Sequence, residues 1–179
     1  MTSDIIFSAG AHAFGDGSHP TTAMVLAALE ALDPAEFQPL RACDMGAGSG
    51  ILSFAIAKKF NCAVVAVDIE RQAVETLQEN ARANALDKQL IALHAKGFSH
   101  PAITAQAPYQ LIVMNILAEP LLDLAMTAEK NLDAGGVLIL SGLFSWQEPQ
   151  LSEAYQGLGL ELAHRLSLKE WVCLSFIKP

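Results

Sequence analysis

Cysteine is scarce in this chain. Cys43, Cys62 and Cys173 are three thiols scattered over 179 residues, which suits neither a disulfide framework nor a metal site. Two of them fall in predicted strands, and all three read as buried free thiols of a reducing compartment. Long apolar runs are missing too. Stretches such as Leu111–Met114 last a few residues, against roughly 20 needed to span a bilayer. The first residues show no basic region followed by a long apolar stretch, so no secretory signal is expected. These absences point to a cytoplasmic protein with no membrane partner. Basic charge is also short: 11 Lys and Arg stand against 19 Asp and Glu, a net charge of −8. An acidic surface repels phosphate backbones, which argues against nucleic acid as the partner. It attracts a basic partner, such as a lysine-rich protein.

What is present is apolar material, 52% of the residues, with only 17% charged. That excludes disorder as the dominant state. A chain of this length is expected to be a single domain, 1–179, with a sizeable core. Short apolar strands alternate with helical patterns. The strands are predicted at Leu40–Asp44, Ala63–Asp68, Gln89–His94, Tyr109–Asn115, Gly136–Ser141, Leu160–Leu166 and Glu170–Ile177. The second, fourth and fifth hold near-continuous apolar runs, as parallel strands covered on both faces do. The last two alternate, with Leu160, Leu162 and Leu166 on one side, as in an antiparallel edge hairpin.

Helical spacing places Ala73, Val74, Leu77 and Ala81 on one face. Leu121, Ala125, Ala128 and Leu132 form another such stripe, with Gly135–Gly136 as its stop. Leu151, Ala154, Tyr155 and Leu158 mark a third helix. Thr21 to Leu32 reads as an opening helix, with Ser18 as N-cap and Pro20 in its first turn. The first dozen residues and His100–Pro108 read as irregular. Such an alternation predicts a doubly wound α/β fold, Rossmann-like, with a mostly parallel seven-stranded sheet and an antiparallel last strand. Its ligand binds outside the carboxyl ends of the strands, where the strand order reverses.

The strongest local motif is Asp44-Met45-Gly46-Ala47-Gly48-Ser49-Gly50, between the first strand and a helix starting near Ile51. Glycines let the backbone turn sharply and admit a ligand without a Cβ clash. Asp68 ends the next strand, where a carboxylate accepts hydrogen bonds from two ribose hydroxyls. A dinucleotide loop needs G-x-G-x-x-G; here the third glycine comes one residue early. Asp44 would repel a pyrophosphate but suits a ligand with an ammonium and a sulfonium. The pattern points to S-adenosylmethionine, with Asp44, Gly46, Gly48 and Asp68 in its site. The fourth strand ends in Asn115, followed by Ile116-Leu117-Ala118-Glu119-Pro120. Two readings of Asn115 stand. It holds an amine nucleophile, or it caps a helix that Pro120 begins. His19 is either part of that helix entrance before Thr21 or a base near the pocket. His12, His94, His100 and His164 form no cluster, and no metal is expected.

Phe14-Gly15-Asp16-Gly17-Ser18-His19-Pro20-Thr21-Thr22 closely resembles the opening motif of the PrmA family, bacterial lysine methyltransferases acting on a large-subunit ribosomal protein. Asn115-Ile116-Leu117-Ala118-Glu119-Pro120-Leu121 looks like the same family's catalytic-strand motif. Ser141-Gly142-Leu143-Phe144 with Gln147, and Glu170-Trp171, are also similar to it. The resemblance runs from Ala13 to the C-terminus. It implies a class I methyltransferase fold, catalysis at Asn115, and cofactor contacts at Thr22, Gly46, Asp68 and Asn115. It also implies that residues 1–18 form a flexible loop over the methionine end, that Phe14 and Trp146 either line the pocket or pack in the core, and that Lys96, Gly97 and Phe98 approach the adenine.

The chain departs from that family's pattern in two ways. The family has a separate N-terminal domain that recognises the ribosomal protein; only 13 residues precede Phe14, so that domain is expected to be absent. Asp16 and Ser18 replace the usual threonines. The expected function is N-methylation of a protein amine, lysine, by in-line transfer. The alternatives are methylation of a small molecule, or a cofactor-binding module that takes its specificity from a partner. Nucleobase amine methylation usually has two prolines and an aromatic after the strand-end Asn, which Ile116-Leu117-Ala118 does not supply.

Overall fold

The computed structural model describes residues 19–179; the expectations for Phe14, Asp16, Ser18 and the rest of 1–18 lie outside the described residues. Seven strands form one sheet: β1 (Arg41–Met45), β2 (Ala63–Asp68), β3 (Leu90–His94), β4 (Tyr109–Asn115), β5 (Leu132–Phe144), β6 (Glu161–Leu168) and β7 (Trp171–Ile177). Six helices accompany them: α1 (Pro20–Ala31), α2 (Ile51–Phe60), α3 (Arg71–Ala83), α4 (Pro101–Thr104), α5 (Ala118–Asn131) and α6 (Glu148–Gly157). The strand order is β3-β2-β1-β4-β5-β7-β6. The first five strands are mutually parallel, and β7 runs antiparallel to both neighbours. The order reverses between β1 and β4, which opens a crevice at their carboxyl ends.

Two apolar layers cover the sheet. Met24, Val25 and Leu29 of α1, Phe54 and Ile56 of α2 and Leu77 of α3 join Ala42, Val64, Ala66, Leu111 and Val113 on one face. Leu121 and Ala125 of α5 and Leu151 and Tyr155 of α6 join Cys43, Val65, Ile112 and Met114 on the other. Strand alternation then dictates where the next polar residues point. Asp44 follows Ala42, Asp68 follows Val64 and Ala66, and Asn115 follows Leu111 and Val113. All three therefore project to the α1–α3 side, at the carboxyl ends of three adjacent strands.

Several local expectations are corrected. The α1 N-cap is His19, whose Nδ1 accepts from the Thr21 N–H at 3.4 Å and bonds the Thr21 hydroxyl at 2.8 Å. His19 thus takes the helix-entrance role. The α5 helix starts at Ala118, not Pro120. Its N-cap is Leu117, with no side-chain cap, so Asn115 does not cap it. It ends at Asn131, ahead of Gly135–Gly136. Leu132 is buried and already pairs with Tyr109, while Gly135 and Gly136 exchange backbone bonds with Lys178, so these residues belong to β5. Within 100–108, a short helix α4 forms, capped by His100. In β6 the register shifts between Leu162 and His164, which leaves Leu162 opposite Phe176 and Leu166 opposite Cys173. Such a shift transfers the following side chains to the other face. Leu162 and Leu166 therefore lie on opposite faces, not on one. All eight β6 residues are exposed, as suits an edge strand. The three cysteines are buried free thiols, and burial pushes each of them up from its usual pKa.

Candidate active site

Three consecutive sharp turns build the floor of the crevice. Gly46, Gly48 and Gly50 have φ of 79°, 55° and 94°, left-handed values that side chains with a Cβ rarely adopt. Gly46 has no room either, since a Cβ there would collide with Ile116 Cγ2. The N–H groups of Gly46 and Ala47 both reach the Val67 carbonyl, at 2.8 and 3.0 Å. The Gly48 N–H reaches the Asp68 side chain at 2.8 Å. The loop is therefore sewn to the end of β2 along its length.

Asp68 is half-buried. One of its oxygens accepts from Gly48, the other from the Glu70 N–H at 2.9 Å. A carboxylate offers about four lone-pair positions, so two remain for ligand hydroxyls. Asp68 thus has a structural duty that the sequence reading did not assign. Asp68→Ala is expected to lower ligand-free stability by about 1–2 kcal/mol, because two N–H groups lose a charged acceptor. Chemical denaturation without cofactor checks this; an unchanged midpoint would mean that the loop holds itself.

Asp44 is fully buried at the end of β1. Its Oδ2 accepts from the Ser53 hydroxyl at 2.5 Å, and its Oδ1 has no hydrogen-bond partner among the described residues. Burial pushes its pKa up to about 6. The hydroxyl and backbone N–H of Ser53 oppose the rise, and the Asp68 charge adds to it. An orphaned buried acceptor is expensive unless a ligand donor meets it.

A second orphan lies across the crevice. Among the described residues, Asn115 Oδ1 is buried without a partner, while its Nδ2 points to the Thr22 hydroxyl at 3.5 Å. Thr22 is buried in the first turns of α1, so the opening helix reaches the end of β4. Ser141, opposite Asn115 in the β4–β5 ladder, carries its hydroxyl 3.5 Å from the Thr21 carbonyl. Behind it Gly142 (φ 87°) packs against the Ile116 backbone, too close for a Cβ. The structure thus brings together all six site residues expected from sequence: Thr22, Asp44, Gly46, Gly48, Asp68 and Asn115. Of the other candidates, Phe98 is buried beneath α5, Gly97 packs on Leu124, and Trp146 is 75% exposed.

Ser53 and Asn80 escaped the sequence reading. Asn80 is fully buried on the apolar face of α3, and its Nδ2 donates to the Ser49 carbonyl at 2.9 Å. The signal was available: a polar residue at i+3 from Leu77 interrupts the apolar stripe. Asn80→Leu is expected to raise the cofactor Kd by roughly tenfold, by removing the buried donor that ties the Ser49 carbonyl of the loop to α3. Calorimetric titration tests this, and an unchanged Kd would detach Asn80 from the loop's function.

This sheet order, with a glycine loop after β1, an acid closing β2 and Asn115 at the switch point, defines the class I methyltransferase fold. Solved structures agree. A ribosomal protein L11 methylase from Lactobacillus delbrueckii subsp. bulgaricus superposes with a TM-score of 0.81 at 29% identity, covering 97% of this chain and 84% of that one. The 16S rRNA N2 G1207 methyltransferase of T. thermophilus, in complex with AdoMet and guanosine, gives 0.73 at 28%, covering 93% and 45%. The chain matches the ribosomal protein L11 methyltransferase (PrmA) family over residues 4–179 and belongs to that family. A ribosomal protein L11 methyltransferase from Chelativorans sp. is 40% identical over 162 residues, 90% of this chain and 56% of the relative. One from Brucella suis is 39% identical over the same span. The chain thus spans just over half the length of these curated relatives.

Proposed function

We propose that this chain is an S-adenosylmethionine-dependent methyltransferase that transfers a methyl group to a lysine amine of a protein, with ribosomal protein L11 as the acceptor to test first. The Asn115 carbonyl oxygen, buried and without a partner among the described residues, carries this reading. An amide oxygen at the crevice wall accepts an amine N–H and turns the nitrogen lone pair toward the centre. Family membership, and the names of its relatives, support the protein acceptor. When bound, S-adenosylmethionine supplies a methyl group activated by a sulfonium leaving group, and no metal is required. Among the described residues, no group of three or more His, Cys, Asp or Glu side chains is placed to hold one.

The residues fit such a cofactor. The Gly46–Gly50 turns admit close approach, Asp68 has lone pairs left for ribose hydroxyls, and the orphaned Asp44 oxygen suits an ammonium. Thr22 closes the site from α1. Asn115 orients the acceptor amine, whose effect is to convert a bimolecular displacement into a positioned one. A lysine is protonated at neutral pH, with a reference pKa near 10.4, and exclusion of water from the crevice lowers that value. We assign no dedicated general base. The described residues are proposed to form a single methyltransferase domain. Among the described residues, no helix is long and apolar enough to cross a membrane. The proposed ribosomal acceptor supports a cytoplasmic location.

Incubation of a bacterial lysate with the protein and methyl-labelled cofactor, followed by mass spectrometry, tests the reading. Label on protein lysine is the expected result. Label confined to small molecules would replace it with the small-molecule reading. Tight cofactor binding with no transfer would leave a binding module.

A further inference from the structure

Four aromatic rings run outward from the α1 entrance along one side of the crevice. The His19 ring meets Trp171 edge-on at 5.2 Å, Trp171 stacks on Phe144 at 4.1 Å, and Phe144 stacks on Trp146 at 6.4 Å with planes 12° apart. The inner end sits at His19, two and three residues from Thr21 and Thr22. The outer end, Trp146, is 75% exposed. Phe144 and Trp171 are paired across the β5–β7 ladder, so the stack is anchored in the sheet. The 3₁₀ turn Ser145–Gln147 that presents Trp146 is held at two further points. The Phe144 N–H donates to Gln147 Oε1 at 2.8 Å, and the Ser145 N–H donates to the Glu170 carbonyl at 2.8 Å. A large aromatic is thus held in solvent by a built turn. Burying it would have stabilised the fold, so its exposure runs against packing.

Its surroundings select a ligand. Trp146 stands just beyond the carboxyl end of β5, the strand that neighbours β4 with its terminal Asn115. Leu117, two residues after Asn115, is 69% exposed. Glu119, in the first turn of α5, and Glu170, whose carbonyl holds Ser145, are exposed carboxylates on the same rim; against them stands Lys169. Glu148 is neutralised by Arg165 at 2.6 Å. An open indole face at the end of the sheet that also exposes these carboxylates and an aliphatic side chain attracts a cation on an apolar stem. It repels the phosphates that come with a stacked nucleobase.

Resting on the proposed lysine methylation, we infer that the exposed face of Trp146 is the docking platform for the lysine-bearing segment of the protein acceptor. It guides that segment along the aromatic stack toward Asn115. Trp146 touches neither cofactor nor reacting atoms; it sets the acceptor affinity.

The test is steady-state methylation of purified ribosomal protein L11 by wild type, Trp146→Ala and Trp146→Phe, with cofactor Kd and thermal midpoint measured for each. Trp146→Ala should raise the KM for L11 by about tenfold, the usual scale for losing an interfacial tryptophan, with kcat and cofactor Kd unchanged. Trp146→Phe should restore most of the loss. An active wild type whose KM is matched by the Ala variant overturns this proposal and leaves the function standing. A wild type that leaves L11 unlabelled overturns the function and the proposal with it. Weakened binding of a single-stranded RNA oligonucleotide by Trp146→Ala, with the L11 KM intact, assigns the stack to nucleobases instead.

Discussion

Asp44→Asn is expected to bind S-adenosylmethionine at least thirtyfold more weakly than wild type, about 2 kcal/mol, and to lose the pH dependence of that binding below neutrality. The argument starts from the strand. Alternation sends Asp44 to the α2 side, and the sheet and helix close over it completely. Ser53 occupies one oxygen, and the other meets no donor among the described residues. In the proposed complex that oxygen meets the ammonium of the cofactor. An amide in its place presents N–H groups to a cation, so the substitution replaces attraction with repulsion in a site of low dielectric.

The raised pKa of Asp44 gives this prediction a second, independent readout. Its native value of about 6 lies above the ordinary carboxylate value of 3.8, with burial as the main cause. Between those values the native state binds more protons than the unfolded state. The contribution to stability is therefore fully present below pH 4 and falls as pH rises to 6. Roughly 3 kcal/mol is lost across that window, from two pKa units at about 1.4 kcal/mol each. The Asn variant should lack this fall, so the stability difference between the two proteins changes by that amount between pH 4 and 6.5. Denaturant titrations at stepped pH measure it, and other titrating groups cancel in the difference. Cofactor affinity runs the opposite way. Asp44 must be ionised to pair with the ammonium, so the wild-type Kd should rise toward tenfold per pH unit as pH drops below 6. Parallel pH profiles for the two proteins would remove Asp44 from the binding site.

The sequence displayed the parts of the fold whose period is enforced by burial on both faces. Continuous apolar runs such as Val64–Val67 and Leu111–Met114 have only one way to sit in a doubly covered sheet. Their terminal Asp68 and Asn115 marked the ligand end. The failures came where a single local event outweighs a pattern. One extra residue in β6 sends Leu166 to the face opposite Leu162, and no composition signal announces such a bulge. Leu132 completes a helical stripe in sequence, but its pairing with Tyr109 makes it the first residue of β5. Tertiary pairing there overrode periodicity. The site was legible as residue types, not as a circuit. Nothing in the spacing showed that Asp68 spends one lone pair on each of two backbone N–H groups, or that Ser53 and Asn80 brace the loop from two different helices.

Asn115→Ala should lower kcat by about 10² to 10³ while changing the cofactor Kd less than threefold, the scale seen when one preorganised polar group is removed from a reacting centre. The unequal split follows from where the side chain points. Its amide nitrogen is directed to Thr22, so the carbonyl oxygen is fixed in orientation rather than free to rotate. Such an oxygen costs stability while unpaired and gains its partner only when an amine arrives. Removing it therefore relieves the ligand-free protein and penalises the positioned acceptor. Asn115→Ala should accordingly be no less stable than wild type, apart from the small cavity it leaves. Thr22→Val supplies the complementary case. The carbonyl remains, but the amide loses the group that fixes its rotation, so kcat should fall by about tenfold only. Single-turnover measurement of methyl transfer to L11 separates these effects from binding. Equal rates for wild type and Asn115→Ala would mean that the amine is held by another group, and that the unpaired oxygen on β4 has no part in the reaction.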